Sequence, residues 1–539
     1  MTSPSQSLAT RPPDKISAWE PLRQPLFRAL WIAAVVSNIG TWMHDVGAGW
    51  LMTSLSPSPV MVSLVQAATT LPAMLLSLPG GALADILDRR RLLIGAQLWM
   101  LLMAGLLGVL TVTGITTAWW LLAFTFALGC GTALTLPAWS AIVPELVPRA
   151  QLHGAIALNS MGFNVARAIG PALAGLIVAA TGPGSVFLLN AVSFLGIVIV
   201  LLRWRRQPRE STLPAERFFS AVRIGLRYAR HAPQLQMVLL RGGAFFLFAS
   251  ALWALLPLVV RRELGAGPEV YGGLTTCIGI GAVASALLLP RLRSRLTRDA
   301  LLRIATLLYA VALLALATIQ NIYLLGIAML FSGAAWLTIM SSLMVTAQLA
   351  LPEWVRARGL GLFMVMFMAS LAGGSALWGQ VAKLAGIPAA LTLAALGALI
   401  SLLLTWRLRL GGGEPVDFAP SLHWPVPLVE QEPEPDRGPV LVTLEYRIDP
   451  IRRQEFLALM QQLGETRRRD GAFMWGLFHD AAAADRFLEC FMAESWLEHL
   501  RQHERVTVAD RAVQEQINQC LLEPGGPQVF HYLASGVEP

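Results

Sequence analysis

The chain has 539 residues, is 55% hydrophobic and only 14% charged, and has a mean hydropathy of +0.58. A soluble protein would carry roughly 25% charged residues, so a wholly water-soluble fold is excluded. The formal charge of +8 does not point to nucleic acid: up to residue 410 there are 30 Lys+Arg against 12 Asp+Glu, and from 411 onward 11 against 21. The basic excess lies in short connections beside apolar runs, which is a membrane-topology pattern.

Residues 1–27 are polar and contain prolines, without the apolar core and cleavage site of a signal peptide; a cytosolic tail is expected. A helix needs about 20 apolar residues to cross the hydrocarbon core. Six such segments occupy 28–51, 59–82, 91–113, 117–139, 154–179 and 183–203, and six more occupy 236–260, 270–290, 300–319, 322–347, 358–381 and 387–407. Connections on one side are tiny, such as "GITTA" and "QNIY", while those on the other are charged and mostly longer. Counted with the span flanks, the N-terminus, the even-numbered connections and the end of the last span hold 26 Lys+Arg. The opposite side holds three, Arg261, Arg262 and Lys383. By the positive-inside rule both termini are cytosolic. Arginine outnumbers lysine 39 to 2, the usage of a GC-rich bacterial genome, so the bacterial inner membrane is the expected location. The expected fold is an α-helical membrane protein of twelve transmembrane helices in two six-helix bundles, 28–203 and 236–410, with a cytosolic central loop at 204–235.

Ionisable groups inside spans are costly and are functional candidates by default. Asp45, beside His44, lies about 18 residues into the first span, and Arg167 about 14 residues into the fifth. At 1.5 Å per residue their depths differ by only about 6 Å. One reading pairs them, so that protonating Asp45 releases Arg167 and couples a proton to a conformational change. The other leaves Asp45 hydrated near the outer interface and Arg167 on backbone carbonyls near Gly170 and Pro171. In "ARAIGPALAG", Pro171 removes a backbone donor, while Gly170 and Gly175 allow another helix to approach closely; a bend or packing point is expected. In the eleventh span "GLFMVMFMASLAGG" sets Met364, Met366 and Met368 among phenylalanines. They are cavity-lining candidates for varied apolar ligands, with lipid-facing packing as the alternative.

The central loop contains "FFSAVRIGLRYARH", with Phe218, Val222 and Leu226 four residues apart, either an amphipathic helix on the cytosolic leaflet or a solvated linker helix. Residues 411–438 are Pro-, Gly- and acid-rich, a linker. Residues 439–535 alternate strand and helix patterns in the order βαββαβ, a small ferredoxin-like α+β domain, with "SWLEHLRQHERVTVADRAVQEQINQC" as its second helix. His479, His499 and His503 are its candidate site groups. The four cysteines and the histidines show no metal-ligand spacing, so no metal is expected. There is no phosphate-binding loop, and no cofactor is expected.

The stretch Gly81-Ala-Leu83-Ala-Asp85-Ile-Leu-Asp88-Arg89-Arg90 resembles the loop 2–3 motif of the major facilitator superfamily, G-x-L-a-D-r-x-G-R-[RK], departing from it at Asp88. "SNIGTWMHDVGAGWLMTSL" and "PAWSAIVPELVPRAQLHGAIALNSMGFNVARAIGPALAG" resemble the superfamily's bacterial transmembrane secretion effectors, relatives of the enterobactin exporter. That resemblance covers about residues 20–410. It implies a proton-driven exporter that works by alternating access between the two bundles, with Gly81, Asp85, Arg89 and Arg90 in a gating loop. Two departures bear on coupling: the fourth span lacks the arginine common in proton-linked drug exporters, and only Gly170-Pro171 and a displaced Gly175 remain of their fifth-span signature. The segment "ESWLEHLRQHERVT" resembles the dimeric α+β barrel family that includes antibiotic-biosynthesis monooxygenases. That implies a tail that dimerises, regulates or, as the alternative, modifies the cargo.

Secondary active export of a small amphiphilic molecule is the expected function, with a siderophore, a drug-like compound and a metabolite all fitting. The expected partners are that substrate, protons and the lipid bilayer, with dimerisation through the tail. The chain is not expected to be an enzyme. A bifunctional transporter-enzyme and a proton-coupled importer are the alternatives, since fold does not set direction.

Overall fold

A computed structural model describes residues 19–204, 218–406, 410, 419, 421, 423–424, 429, 433–434, 436–522 and 526–535. The side chains at 77–78, 81–82, 84–86, 218–222, 224, 353 and 504 are outside the description. The first six helices are α1 (Pro25–Leu55), α2 (Pro59–Ile86), α3 (Arg89–Val112), α4 (Ala118–Leu146), α5 (Leu152–Thr181) and α6 (Pro183–Arg203). A short helix α7 (Phe218–Arg230) precedes α8 (Pro233–Leu258), α9 (Pro268–Arg293), α10 (Arg298–Thr318), α11 (Ile322–Leu349), α12 (Glu353–Ala385) and α13 (Ile387–Leu404). All but α7 contain a stretch long and apolar enough to cross a membrane, twelve in all, so the chain is a multi-pass membrane protein. Proline lies within the first turn of six of these helices, where its missing N–H costs nothing.

The ends of the helices fall on two levels. One carries α7 and the C-terminal domain and is called the tail side; the other is the far end. Buried packing runs from one bundle to the other through Met43, Leu51, Val62 and Ala174 of the first half and Phe246, Leu255, Tyr271 and Trp378 of the second. These first-half residues lie at mid-depth or toward the far end. Toward the tail side the first bundle has a separate cluster, Phe27, Leu93, Ile142, Leu158 and Leu201 among its members, with none from the second half among the described residues. Among the described residues, the buried packing that the two halves share therefore lies at mid-depth and toward the far end.

Three sets of contacts close the far end. A Cβ on Gly175 of α5 would lie 2.8 Å from the Pro268 carbonyl oxygen and 3.2 Å from Cα of Gly272, both on α9. The missing side chains let the two backbones touch. Gly379 of α12 lies against Val60 and Ser63 of α2 in the same way. Beyond α8 a π-helical turn, Val259–Glu263, carries Arg261 and Arg262 back to the first bundle. Arg261 donates to the hydroxyls of Thr53 (2.9 Å) and Ser54 (2.5 Å), and Arg262 donates to the Pro57 carbonyl. These are two of the three cations that break the arginine asymmetry, and both are used to join the bundles.

The C-terminal domain consists of β1 (Val440–Arg447), α14 (Arg453–Asp470), β2 (Met474–His479), β3 (Arg486–Ala493), α15 (Trp496–Arg505), α16 (Val508–Asn518) and β4 (Gln528–Leu533). Its sheet is antiparallel in the order β2-β3-β1-β4, as the βαββαβ reading requires. The single second helix expected from sequence is in fact two. Thr507 starts α16 with a reciprocal capping box to Asp510, which satisfies donors that a continuous helix would not expose. Inside the domain Glu489 is fully buried and accepts from Arg467 Nε (3.0 Å), Trp475 Nε1 (2.9 Å) and the Tyr446 hydroxyl (2.7 Å). Part of the acidic linker runs over the domain: Ser421 and Ala419 bond to the backbone around Val506 and Val508.

The domain sits against the tail side. Arg227 of α7 pairs with Glu494 (2.9 Å) and donates to the Gly471 carbonyl (2.5 Å). The Arg505 guanidinium lies over Trp354 of α12, 4.5 Å from its centroid. Tyr228 and Ala229 of α7 are buried, so one face at the end of this helix packs in protein. Leu226 is exposed, and the side chains of Phe218 and Val222 lie outside the described residues.

Candidate functional site

Where the two bundles meet at mid-depth, aromatic side chains from both form one cluster. Trp42 of α1 and Trp253 of α8 approach to 6.4 Å between centroids, and Trp253 continues to Trp336 of α11 at 5.7 Å. Phe245, Phe246, Tyr309 and Phe367 complete it on the second half. Arg167 of α5 projects into this boundary. Its guanidinium carbon lies 5.8 Å from the Trp42 ring and 5.9 Å from the Trp253 ring. The residue is 7% exposed, and Nε and Nη2 have no hydrogen-bond partner. Among the described residues it has no acidic partner, so a cation stands between two indole faces with two donors unmet. Such a group is prepared to receive an anion, and the ring faces supply cation–π attraction in the meantime.

The structure does not bring Asp45 to Arg167. Asp45 is three residues beyond Trp42, nearly one turn on, and its electrostatic neighbour is Tyr271 of α9. Tyr271 packs against Gly49 and stacks with Trp50 at 6.3 Å. His44 is buried beside Phe187, 4.7 Å between rings, with both nitrogens unpartnered. The similar depths counted from sequence do not pair them, because Gly170, three residues beyond Arg167, is level with Trp42, three residues before Asp45. Nor is Arg167 the only arginine buried within a helix. Arg241, five residues before Phe246 on α8, is 7% exposed and paired with Asp299 at 2.5 Å. Its closeness to the span's start made it look like a flank.

Gly170 and Gly175 are points of close approach. A Cβ on Gly170 would lie 2.6 Å from that of Trp42 and 3.1 Å from the Ile39 carbonyl oxygen. Gly170 thereby fixes α1 against α5 beside the cluster. Pro171 leaves α5 unbroken, and its carbonyl faces Gly272. Met364, Met366 and Met368 are half-buried and pack on the core. Met366 lies against Gly242 and Gly243 of α8, so it fills a helix contact.

At the tail side Arg89 pairs with Glu145 of α4 at 3.1 Å and reaches the Ala141 carbonyl at 3.4 Å. Arg90 donates to the Leu201 (2.7 Å) and Leu202 (3.0 Å) carbonyls at the end of α6. The loop thus ties α3 to α4 and α6. Asp88, the departure from the family pattern, is the N-cap of α3 and accepts from the Arg91 N–H at 2.9 Å. Gly81 and Asp85 fall in the last two turns of α2, outside the described side chains.

In the C-terminal domain His479 is exposed on β2, with Nε2 donating to the Ala484 carbonyl at 3.2 Å. His499 and His503 share a face of α15, their rings 5.0 Å apart, and His531 of β4 stands 4.9 Å from His499. Burial, reinforced by the neighbouring histidines, lowers His499 to about 3, and burial lowers His503 to about 4. Burial lowers His531 too. Nothing in the sequence spacing connects His531 to the other two; only the pairing of β4 with β1 does.

Comparison with known proteins bears on the bundle. The chain is 24% identical over 297 residues to the staphyloferrin A transporter of Staphylococcus aureus, covering 55% of this chain and 74% of that one. It is 25% identical over 380 residues to the multidrug efflux pump Tap of Mycolicibacterium fortuitum, covering 68% and 91%. It is 26% identical over 283 residues to the uncharacterised MFS-type transporter YfiS of Bacillus subtilis, covering 50% and 67%. Its fold matches a bacterial homologue of the human lysosomal transporter Spinster in an inward-facing, occupied conformation, with a TM-score of 0.57, 16% identity, and 72% and 96% of the two chains covered. It also matches the nucleoside transporter NupG, with a TM-score of 0.55, 14% identity, and 71% and 98% covered. The transmembrane secretion effector family model matches residues 16–538, and the chain belongs to that family of major facilitator transporters.

Proposed function

We propose that the protein is a proton-driven exporter of a small amphiphilic molecule that carries an anionic group, working by alternating access. The observation that carries this reading is Arg167, a buried guanidinium without an acidic partner among the described residues, held between Trp42 and Trp253 where the bundles meet. A substrate that lays an apolar body on the aromatic cluster and a carboxylate or similar group on Arg167 would contact both halves at once. Binding there can bias their relative position.

The arginine asymmetry makes the tail side cytosolic, with both termini there and the chain in the inner membrane of a bacterium. Bundles joined at the far end then correspond to a state closed toward the outside. Arg89 and Arg90 serve the tail-side gating loop by bracing α3 against α4 and α6 within the first bundle, and Arg261 and Arg262 latch the two bundles at the far end. Asp45, inside a span and away from Arg167, is the proton carrier. It lies beside Tyr271, at the interface of α1 with α9, where a change of charge is felt by both bundles.

The test is metabolite release from cells lacking the protein, complemented with wild type or Asp45→Asn, with and without a protonophore. Release of an anionic amphiphile by wild type alone, and only without the protonophore, is expected. Full release by Asp45→Asn would remove Asp45 as the carrier, and equal release from all strains would remove export.

A further inference from the structure

We propose that His499, His503 and His531 form a binding site for a divalent transition-metal cation, with Zn²⁺ the best chemical fit. One ring nitrogen from each of the three lies within 4.8 Å of the others. Positions 499 and 503 are one helical turn apart on α15, so both rings leave the same face. His531 reaches them from β4, which pairs with the central strand β1 in a fixed register, His531 opposite Val442.

The arrangement of His499 is difficult to explain as packing alone. It is 1% exposed, and neither ring nitrogen has a hydrogen-bond partner of good geometry, the Gln502 amide being its polar neighbour. A buried polar atom left unmet is costly, and a neutral imidazole has one lone pair to give. A cation shared with the two other rings uses that lone pair. His503 and His531 are half-exposed, which gives the cation an entry path and lets both rings turn inward. Contraction is needed, since a Zn–N bond of about 2.0–2.1 Å places tetrahedral ligands roughly 3.3 Å apart.

The donor set chooses the metal. Three imidazoles without a carboxylate or thiolate suit zinc, copper or nickel and exclude magnesium and calcium. Three protein ligands leave a fourth position for water or another ligand. The nearby cation, Arg467, whose guanidinium stacks on Phe491 and Trp424, is paired with Glu489 at 3.0 Å, which offsets its charge. Glu489 itself is saturated by its three donors, so it is not a ligand.

The full chain, purified in detergent without a polyhistidine tag and treated with chelator, would be titrated with Zn²⁺ against a chromogenic chelator and separately with Co²⁺. One equivalent of Zn²⁺ with a Kd of about 1 µM or tighter is expected, together with the intense visible bands of four- or five-coordinate Co²⁺. His531→Gln should weaken binding at least about 10-fold while its metal-free melting stays at the wild-type temperature, and His503→Gln, a half-exposed position, should do the same. His479→Gln should bind as wild type. Less than half an equivalent bound by wild type, an octahedral Co²⁺ spectrum, or unchanged binding by both His531→Gln and His503→Gln would overturn the site.

Discussion

Replacing Arg167 by methionine separates a role in binding from a role in folding. A buried ion with an acidic partner would leave that partner stranded when removed, at about 3–5 kcal/mol. Among the described residues Arg167 has no such partner; its deletion gives up two desolvated cation–π contacts, about 2 kcal/mol each, and relieves the cost of two unmet buried donors, about 1–3 kcal/mol each. The two sums are of similar size, so Arg167→Met should melt in detergent at or above the wild-type temperature. An anion bound to the guanidinium would lose a charge-assisted hydrogen bond worth about 1.5–3 kcal/mol, which is about a 10- to 100-fold rise in Kd. The assay is quenching of Trp42 and Trp253 fluorescence by an amphiphilic carboxylate and by its methyl ester. Wild type should prefer the carboxylate and Arg167→Met should bind both alike; Trp253→Phe identifies the responding fluorophore. A methionine variant that melts several degrees lower and keeps its preference for the carboxylate would refute the reasoning.

Gly175→Val puts methyl groups against the α9 backbone, where neither side can yield. Overpacking of this kind costs about 1–3 kcal/mol, so spin labels at Thr181 and Glu263 should move apart as the far end opens, while an unchanged distance would contradict the sealing role of this contact. Arg89→Ala and Glu145→Gln should each slow transport, with the double variant no slower than either, because they share one ion pair. Their side chains are 30% and 20% exposed, so melting should shift by less than about 1 kcal/mol equivalent; additive effects on transport would show that the pair is not the unit. Glu489→Gln strands Arg467 inside the C-terminal domain, a loss of about 3–5 kcal/mol. Trypsin should then release the tail at a temperature that leaves the bundle intact, and equal protease resistance would show that the buried network is dispensable.

Much of this architecture follows from local pattern. Twelve spans are legible because lipid demands an uninterrupted apolar helix at each crossing, and the βαββαβ order is legible because strand and helix periodicities differ. The Asp88 cap is local too, since an acid just before a helix bonds the third N–H onward. Sequence also identifies Asp45 and Arg167 as unusual, because charge in a span is costly wherever it points.

What the sequence did not determine is which of these groups meet. Asp45 and Arg167 look level when counted along their spans, yet the contact of Gly170 with Trp42 sets Arg167 before that level and Asp45 beyond it. Arg261 and Arg262 looked like exceptions to a charge rule, and only the approach of α8's end to α1 turns them into a cross-link. The linker helix α7 reads as amphipathic, but it takes a docked domain to bury Tyr228. His531 lies 28 residues beyond His503 with nothing between to suggest a partnership, and a strand pairing brings it to the other rings. Span, helix type and strand order are properties of a segment and its solvent; level and partner are properties of the packed whole, and on those the candidate sites of this protein depend.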